Sequence, residues 1–295
     1  TLIDVRALAA ANSCSSEAFS LDRAFNFSTA RSMSTPTGRP GAVHLTMFID
    51  VQGKLLFYVV AAWEEDFTGY VIDYGAWPEQ RRTYFTLRDA SPTLMDKAKG
   101  SGLEGAIYAG LESLTDLLLK REWQRDDGAH LRIERCLVDA NWGTSTDLVY
   151  QFCRQSAHAA VLLPSHGRFV GASSIPFSEY KRKRGDRVGH NWRIPNVHGK
   201  RAVRHVVFDA NYWKSFVHAR LAVHMGDKGC LSLFGRNPEE HRLFSEHVTA
   251  EYRVKTEGRG RVVDEWKLRP EAAENHWLDC IVGCAVAAST QGSTL

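Results

Sequence analysis

The sequence predicts an α/β fold in which a mixed sheet with an antiparallel start is flanked by helices. Residues 44–75 contain three β-type runs separated by turn-compatible breaks at Gln52-Gly53 and around residues 64–68, the pattern of an antiparallel meander. Residues 103–122 then place leucine and isoleucine at helical spacing. After residue 130, β-type and helical runs alternate, as they do when strands enter a sheet that helices cover.

The later elements follow in a regular order along the chain. They are a strand within 130–143, a helix at 145–156, a short buried strand within 159–167, a strand-then-helix at 203–223, a helix at 237–252, a β-type run at 260–269 and a closing helix at 275–289. Three strands, a helix, a strand, a helix, a strand and a helix are the order expected of a ribonuclease H-like sheet.

Composition narrows the class of protein. The chain has 295 residues and is 44% hydrophobic, which supports a well-packed core. No apolar run approaches the roughly 20 residues of a membrane span, and no basic-then-apolar leader is present. The six cysteines lack the spacing of a disulfide framework, so we expect reduced, mostly buried thiols and a cytoplasmic protein.

The first 40 residues differ in character from the rest. The stretch "STARSMSTPTGRPG" is rich in Ser, Thr, Pro and Gly, which is typical of a linker or arm. The chain also begins with Thr1 rather than Met, which indicates a fragment of a longer protein. We therefore predict an arm or linker at 1–40 and one folded domain at 41–295.

Three aspartates occupy positions suited to a metal site. Asp50 lies within the first strand, Asp139 ends the strand "CLVD", and Asp279 lies near the start of the closing helix. Carboxylates are preferred ligands of Mg²⁺ and Mn²⁺, and an acid in a sheet core needs a cation or a basic partner. If the three converge, two such ions can support phosphodiester cleavage.

Simpler interpretations of these acids stay open at this stage. An aspartate at a strand end often accepts hydrogen bonds in a turn or helix cap. Asp66, Asp73, Asp147 and Asp209 are rivals by position, and Asp147 is most simply a first-turn acid favoured by the helix dipole.

A basic stretch supplies a candidate surface for DNA. Residues 177–220 hold eleven Lys and Arg against three acids, although the whole chain carries a formal net charge of only +3. Such residues neutralise phosphates without sequence preference. The densest part is an insertion around 177–204, and its candidate DNA-binding residues are Lys181, Arg182, Lys183, Arg184 and Arg187. The alternative is a solvated loop with no partner.

Several motifs are missing. No GxxxxGK[ST] phosphate loop occurs, so ATP hydrolysis is not expected of this chain, and neither a GxSxG elbow nor an HExxH helix is present. His276, Cys280 and Cys284 share one helix face and imitate soft-metal ligands. Core packing of the two cysteines is the favoured interpretation, because free cysteines behave as small buried hydrophobes.

The ordered motifs resemble the C-terminal nuclease domain of the bacteriophage terminase large subunit, of the lambda-like type. They are "FIDVQGKLLFYVVAAW" with "YVIDYG", "LVDANWGTSTDLVYQFCR", "FDANYWKSFVHARL" and "ENHWLDCIVGCAVAAS", and they span roughly residues 41 to 290. The resemblance implies a ribonuclease H-like nuclease that cuts double-stranded DNA during genome packaging with two Mg²⁺ or Mn²⁺ ions.

By motif, the resemblance makes Asp50, Asp139 and Asp279 the catalytic, metal-binding acids and gives His276 a supporting role. It leaves open whether Asp73 or Asp147 joins them as a fourth acid. It also implies an absent packaging ATPase domain joined through residues 1–40, a small terminase subunit and a portal as partners, and the host cytoplasm as location. We expect the isolated domain to be monomeric.

Two other functions compete with this interpretation. Another ribonuclease H-like nuclease, of the junction resolvase or transposase type, would prefer branched or transposon-end DNA. A non-catalytic DNA-binding prophage remnant would keep the fold without cutting.

Overall fold

A nine-stranded mixed sheet organises the chain, as the computed structural model shows for residues 41–125, 127–143, 145–197, 203–235, 237–272 and 274–294. Its strands are β1 (His44–Val51), β2 (Leu56–Trp63), β3 (Gly69–Trp77), β6 (Arg135–Asp139), β7 (Leu162–Arg168), β8 (Arg187–Gly189), β9 (Trp192–Ile194), β10 (Val206–Asp209) and β11 (Leu231–Leu233). They are ordered β11-β3-β2-β1-β6-β7-β10-β9-β8. The predicted α/β class is confirmed, and the sheet is consistent with a ribonuclease H-like fold.

Two small antiparallel pairs lie outside this sheet. They are β4 (Trp123–Gln124) with β5 (His130–Leu131), and β12 (Glu251–Gly258) with β13 (Arg261–Leu268). The second pair is held against a helix by Trp266, whose backbone N–H donates to Asn211 Oδ1 at 3.0 Å and whose indole N–H donates to Ser215 Oγ at 2.8 Å.

The helices cover both faces of the sheet. They are α1 (Leu94–Lys97), α2 (Gly102–Leu119), α3 (Thr146–Gln155), α4 (Ala210–Leu221), α5 (Arg242–Val248) and α6 (His276–Gln291), with 3₁₀ turns at Phe177–Glu179 and Pro238–His241. The predicted helix over 237–252 is shorter than expected, because a 3₁₀ turn precedes α5 and Glu251 already begins β12.

Strand direction decides where the site lies. β1 pairs antiparallel with β2, whereas β1, β6, β7 and β10 run parallel to one another. The carboxyl ends of these four strands therefore meet at one edge of the sheet, the place where α/β sheets bind ligands. We call this the carboxyl edge.

Side-chain alternation divides the core into two layers. On one face, Phe48 and Leu137 pack under α6, and on the other, Met47 and Val138 pack under α2 and α3. Gly283 allows α6 to lie close to β1, since a Cβ there would come within 1.7 Å of the Phe48 ring. We call these the α6 face and the α2 face.

Five cysteines lie in the described ranges and all are buried and free: Cys136, Cys153, Cys230, Cys280 and Cys284. The thiols of Cys280 and Cys284 donate to the backbone oxygens of Phe57 and Val59 at 3.5 and 3.3 Å. Core packing, the favoured interpretation of these two residues, is therefore what the structure shows. The predicted arm at 1–40 lies outside the described residues.

Candidate active site

Asp50 is the last residue but one of β1 and Asp139 is the last residue of β6, and the two face the same side of the sheet. Ile49 of β1 pairs with Val138 of β6, so the next residues along the two strands are Asp50 and Asp139. Asp50 also pairs with Phe57, which faces α6. Both acids thus lie at the carboxyl edge on the α6 face, because a regular strand alternates its side chains.

His276 and Gln52 hold the Asp50 carboxylate. Asp50 is only 5% exposed, and His276 Nδ1 donates to its Oδ2 at 2.7 Å. Gln52 Nε2 lies 3.1 Å from each carboxylate oxygen. The imidazole of His276 stacks on Phe57 with ring centroids 4.4 Å apart, which orients it. His276 thus contacts Asp50 directly, and its supporting role stays a prediction.

Asp279 reaches the site from the first turn of α6. Its Oδ1 accepts from Lys214 Nζ at 3.0 Å and its Oδ2 accepts from Asn275 Nδ2 at 3.1 Å. Lys214 also donates to Glu251 Oε1 at 2.5 Å. Burial lowers the pKa of Lys214, but the charges of Asp279 and Glu251 outweigh it and raise that pKa above its ordinary value. The ammonium therefore stays charged.

Electrostatics links the three predicted acids. Desolvation and the neighbouring charges of Asp50 and Asp279 raise the pKa of Asp139 to about 8, against a weaker opposing effect of the Asn141 backbone N–H. Burial opposes protonation of His276, but Asp50, Glu274 and Asp279 raise its pKa above the ordinary value. Ionisation of Asp139 beside the other two acids is therefore unfavourable in the metal-free site.

The donor set fits a hard divalent cation in its chemistry. Asp50, Asp139 and Asp279 offer only oxygen ligands, the type that Mg²⁺ and Mn²⁺ prefer, and burial raises the pKa of Asp139, an effect to which the charges of Asp50 and Asp279 add. In the described ranges, no three His, Cys, Asp or Glu side chains are gathered closely enough to hold a metal ion. Asp50 and Asp279 are each held by a protein donor, His276 and Lys214 respectively.

Asp73 does not face the other acids. It pairs with Val60, which packs in the core of the α2 face, and Arg121 Nη1 lies 3.8 Å from its carboxylate. It therefore lies across the sheet from Asp50.

The remaining rivals serve local structure. Asp66 accepts from the Thr68 N–H in the β2–β3 turn, and Asp209 accepts from the Tyr212 N–H as the N-cap of α4. Burial raises the pKa of Asp209 to about 6. Asp147 is exposed in the first turn of α3, the position the helix dipole favours.

The predicted DNA-binding residues lie at the other edge of the sheet. Lys181 to Arg184 are exposed in a turn closed by Asp186, whose carboxylate accepts from the backbone N–H groups of Lys183 and Asn196. Arg187 begins β8 and donates to Thr290 O at 3.0 Å. From His276 to Thr290, α6 is about 20 Å long at about 1.5 Å per residue. The contact of Arg187 and the contact of His276 with Asp50 thus lie at opposite ends of α6.

Sequence reasoning missed four groups around the acids. Gln52, Glu251 and Asn275 contact Asp50, Lys214 or Asp279, and Lys214, assigned to the basic stretch, is buried against acids instead of facing solvent. For Gln52 and Asn275, one indication was present in the sequence: Gln52 lies two residues after Asp50, and Asn275 immediately precedes His276. Glu251 and Lys214 become neighbours of Asp279 only through the packing of α4 and β12.

Comparison with known proteins identifies a family. The family model described as "Terminase large subunit gpA, endonuclease domain" matches residues 16–294. No curated protein and no solved structure matches the chain. In the part of the chain that the structure describes, no helix has both the length and the hydrophobicity that spanning a bilayer requires.

Proposed function

The chain belongs to the family of terminase large subunit endonuclease domains, nucleases of phage DNA packaging, and from this premise we propose that it cuts double-stranded DNA by two-metal hydrolysis of phosphodiester bonds. The observation that supports the metal dependence is the cluster of acids on the α6 face, where burial, together with the charges of Asp50 and Asp279, raises the pKa of Asp139 to about 8. Mg²⁺ or Mn²⁺ are the cations that such a carboxylate set selects.

The three acids share one task in this proposal, and their neighbours orient them. Asp50, Asp139 and Asp279 would hold the cations, which when bound would activate water and stabilise the departing oxygen. His276 holds the Asp50 carboxylate in one orientation by its 2.7 Å hydrogen bond. The rigid packing of α6 on β1 sets the position of Asp279 against the two strand-end acids.

DNA binding by the basic turn is a separate part of the proposal. A duplex held at both the acids and the Lys181–Arg184 turn would have to extend along at least the length of α6, about 20 Å, which is about six base pairs at about 3.4 Å each. The turn would add affinity at a distance from the cut. It should therefore influence DNA binding without changing the chemical step.

The cellular setting follows from the family. We propose that the full-length protein joins this domain to a packaging ATPase and acts with a small terminase subunit and a portal in the host cytoplasm. The isolated domain would be a monomer, because its role in the proposed chemistry needs no second copy.

Plasmid cleavage with a matched pair of acid variants tests the proposed chemistry. Asp50→Asn should abolish Mn²⁺-dependent nicking of supercoiled DNA, whereas Asp73→Asn, which changes an acid on the α2 face, should retain it. Mn²⁺ binding followed by calorimetry provides a readout that does not depend on DNA. Equal cutting and equal Mn²⁺ binding by wild type and Asp50→Asn would refute the site.

The DNA substrate separates this function from its rivals. Plain duplex should be cut at least as well as four-way junctions or transposon ends of the same length. Preferential cutting of junctions would favour a resolvase, and DNA binding without any cutting would favour a non-catalytic module.

A further inference from the structure

The Asp279 carboxylate is part of a closed ring of hydrogen bonds. Lys214 Nζ donates to Asp279 Oδ1 at 3.0 Å and to Glu251 Oε1 at 2.5 Å. Asn275 Nδ2 donates to Asp279 Oδ2 at 3.1 Å and to the same Glu251 oxygen at 2.6 Å. One ammonium and one amide thus bridge the same two carboxylates.

The ring joins parts of the chain that are distant in sequence. Lys214 lies in the middle of α4, Glu251 is the first residue of β12, and Asn275 is the N-cap of α6, on which Asp279 lies one turn later. Each oxygen of Asp279 receives one donor from a different element. The side chain is therefore fixed in rotation, while each oxygen keeps a lone pair for a cation.

Stability alone is a weak reason for this arrangement. The side chains of Glu251 and Lys214 are only 6% and 12% exposed. The free-energy cost of desolvating such an ion pair is close to the gain from its attraction. Replacing the pair by apolar residues of similar size often leaves a protein equally stable. Asp279, by contrast, keeps 38% of its side chain exposed at the carboxyl edge. A buried charged pair that holds a half-exposed acid by one oxygen suits orientation better than core packing.

We propose that Lys214 and Glu251 are positioning residues that hold Asp279 in the orientation in which it binds a divalent cation. The inference rests on the proposed metal-dependent nuclease function. Lys214 carries the orientation directly, and Glu251 acts through Lys214 and Asn275. The ring assigns Lys214 a place beside the acids rather than among the DNA-binding residues of the basic stretch.

The deciding variant replaces both buried charges together. Lys214→Met alone leaves Glu251 buried without its ammonium and risks misfolding. The test therefore combines Lys214→Met with Glu251→Gln, which removes both charges of the buried pair and leaves only the partly exposed Asp279 without its ammonium. Lys214→Arg keeps a positive donor, and Lys97→Met is the matched control, since Lys97 is an exposed lysine on α1. Three quantities are measured for each: Mn²⁺ affinity by electron paramagnetic resonance of free Mn²⁺, single-turnover cleavage, and the midpoint of thermal unfolding.

The double variant should lose about 10- to 100-fold in Mn²⁺ affinity or cleavage rate, the usual effect of removing a partner that orients a metal ligand. Its unfolding midpoint should stay close to that of wild type, Lys214→Arg should recover most of the loss, and Lys97→Met should match wild type. Wild-type affinity and cleavage in the double variant would overturn the inference, and so would equal losses in Lys214→Arg.

Failure of the underlying function gives a different result. If wild type bound no Mn²⁺, or if Asp279→Asn bound Mn²⁺ and cut DNA as wild type does, the metal site itself would be refuted whatever the ring variants did. If wild type and the double variant both bound Mn²⁺ and cut DNA equally well, only the positioning role of Lys214 and Glu251 would be refuted.

Discussion

Acidification should weaken divalent-cation binding to this domain through one identifiable carboxyl group. Desolvation and the charges of Asp50 and Asp279 raise the pKa of Asp139 to about 8, so this carboxyl is mostly protonated at neutral pH in the metal-free domain. A cation that uses Asp139 as a ligand must displace that proton. Its apparent affinity therefore falls as the pH falls below about 8.

One proton sets the size of the effect. Below the pKa of Asp139, each pH unit should cost up to about tenfold in apparent affinity, so that lowering the pH from about 8 to about 6 should cost up to about a hundredfold. Asp139→Asn carries no titrating carboxyl at this position. It should bind Mn²⁺ more weakly and with a much smaller dependence on pH.

Calorimetry of Mn²⁺ binding over this pH range provides the assay, with proton release measured in buffers of different ionisation enthalpy. His276 also has a raised pKa, so His276→Gln is the second comparison, and it should keep most of the wild-type slope. A wild-type affinity that did not change with pH would refute the reasoning. If the Mn²⁺ affinity of Asp139→Asn still depended on pH and that of His276→Gln did not, the displaced proton would belong to the imidazole instead.

Three further predictions follow from the same geometry. In the metal-free domain, the stability contributed by protonated Asp139 is complete below about pH 4 and lost as the pH rises through about 8, so the thermal midpoint should fall over this range in wild type but less in Asp139→Asn. Gly283→Ala would place a Cβ 1.7 Å from the Phe48 ring and should lower the free energy of unfolding by about 1–3 kcal/mol or more, measured by urea denaturation; an unchanged midpoint would contradict the close packing. Neutralising the four basic residues at 181–184 should weaken duplex binding and leave the cleavage rate at saturating DNA unchanged. The slope of the logarithm of the binding constant against the logarithm of the salt concentration should become smaller by up to about 1 for each phosphate that the turn no longer neutralises, and an identical slope would exclude the turn as a DNA-binding surface.

Local patterns predicted much of the fold because hydrophobic periodicity is written into neighbouring residues. The meander over 44–75, the helix over 103–122 and the closing helix all lie where the sequence indicated them. The sequence also placed Asp50 and Asp139 in strands, where both lie, because an acid near the end of a buried strand is conspicuous in a single stretch of sequence. Their roles in catalysis and metal binding stay predictions.

Contacts between distant segments could not be predicted in the same way. Glu251 and Lys214 are separated by 37 positions, and nothing in either local sequence indicates that both contact the region of Asp279. The basic stretch shows the same limit. Its charge was evident from the sequence, but the strand order β10-β9-β8 places the 181–184 turn at the edge opposite the acids.

Asp73 shows most clearly what the sequence determined and what only the tertiary structure decided. By simple alternation from Val71, which faces α6, Asp73 would point toward Asp50. A bulge opposite Val60 and Ala61 inserts one residue, so that Ile72 and Asp73 both face α2. The sequence by itself determined which residues form β3 and that one of them is an acid. The face on which this acid lies depends on pairing with β2, because a one-residue shift in register reverses every later side chain.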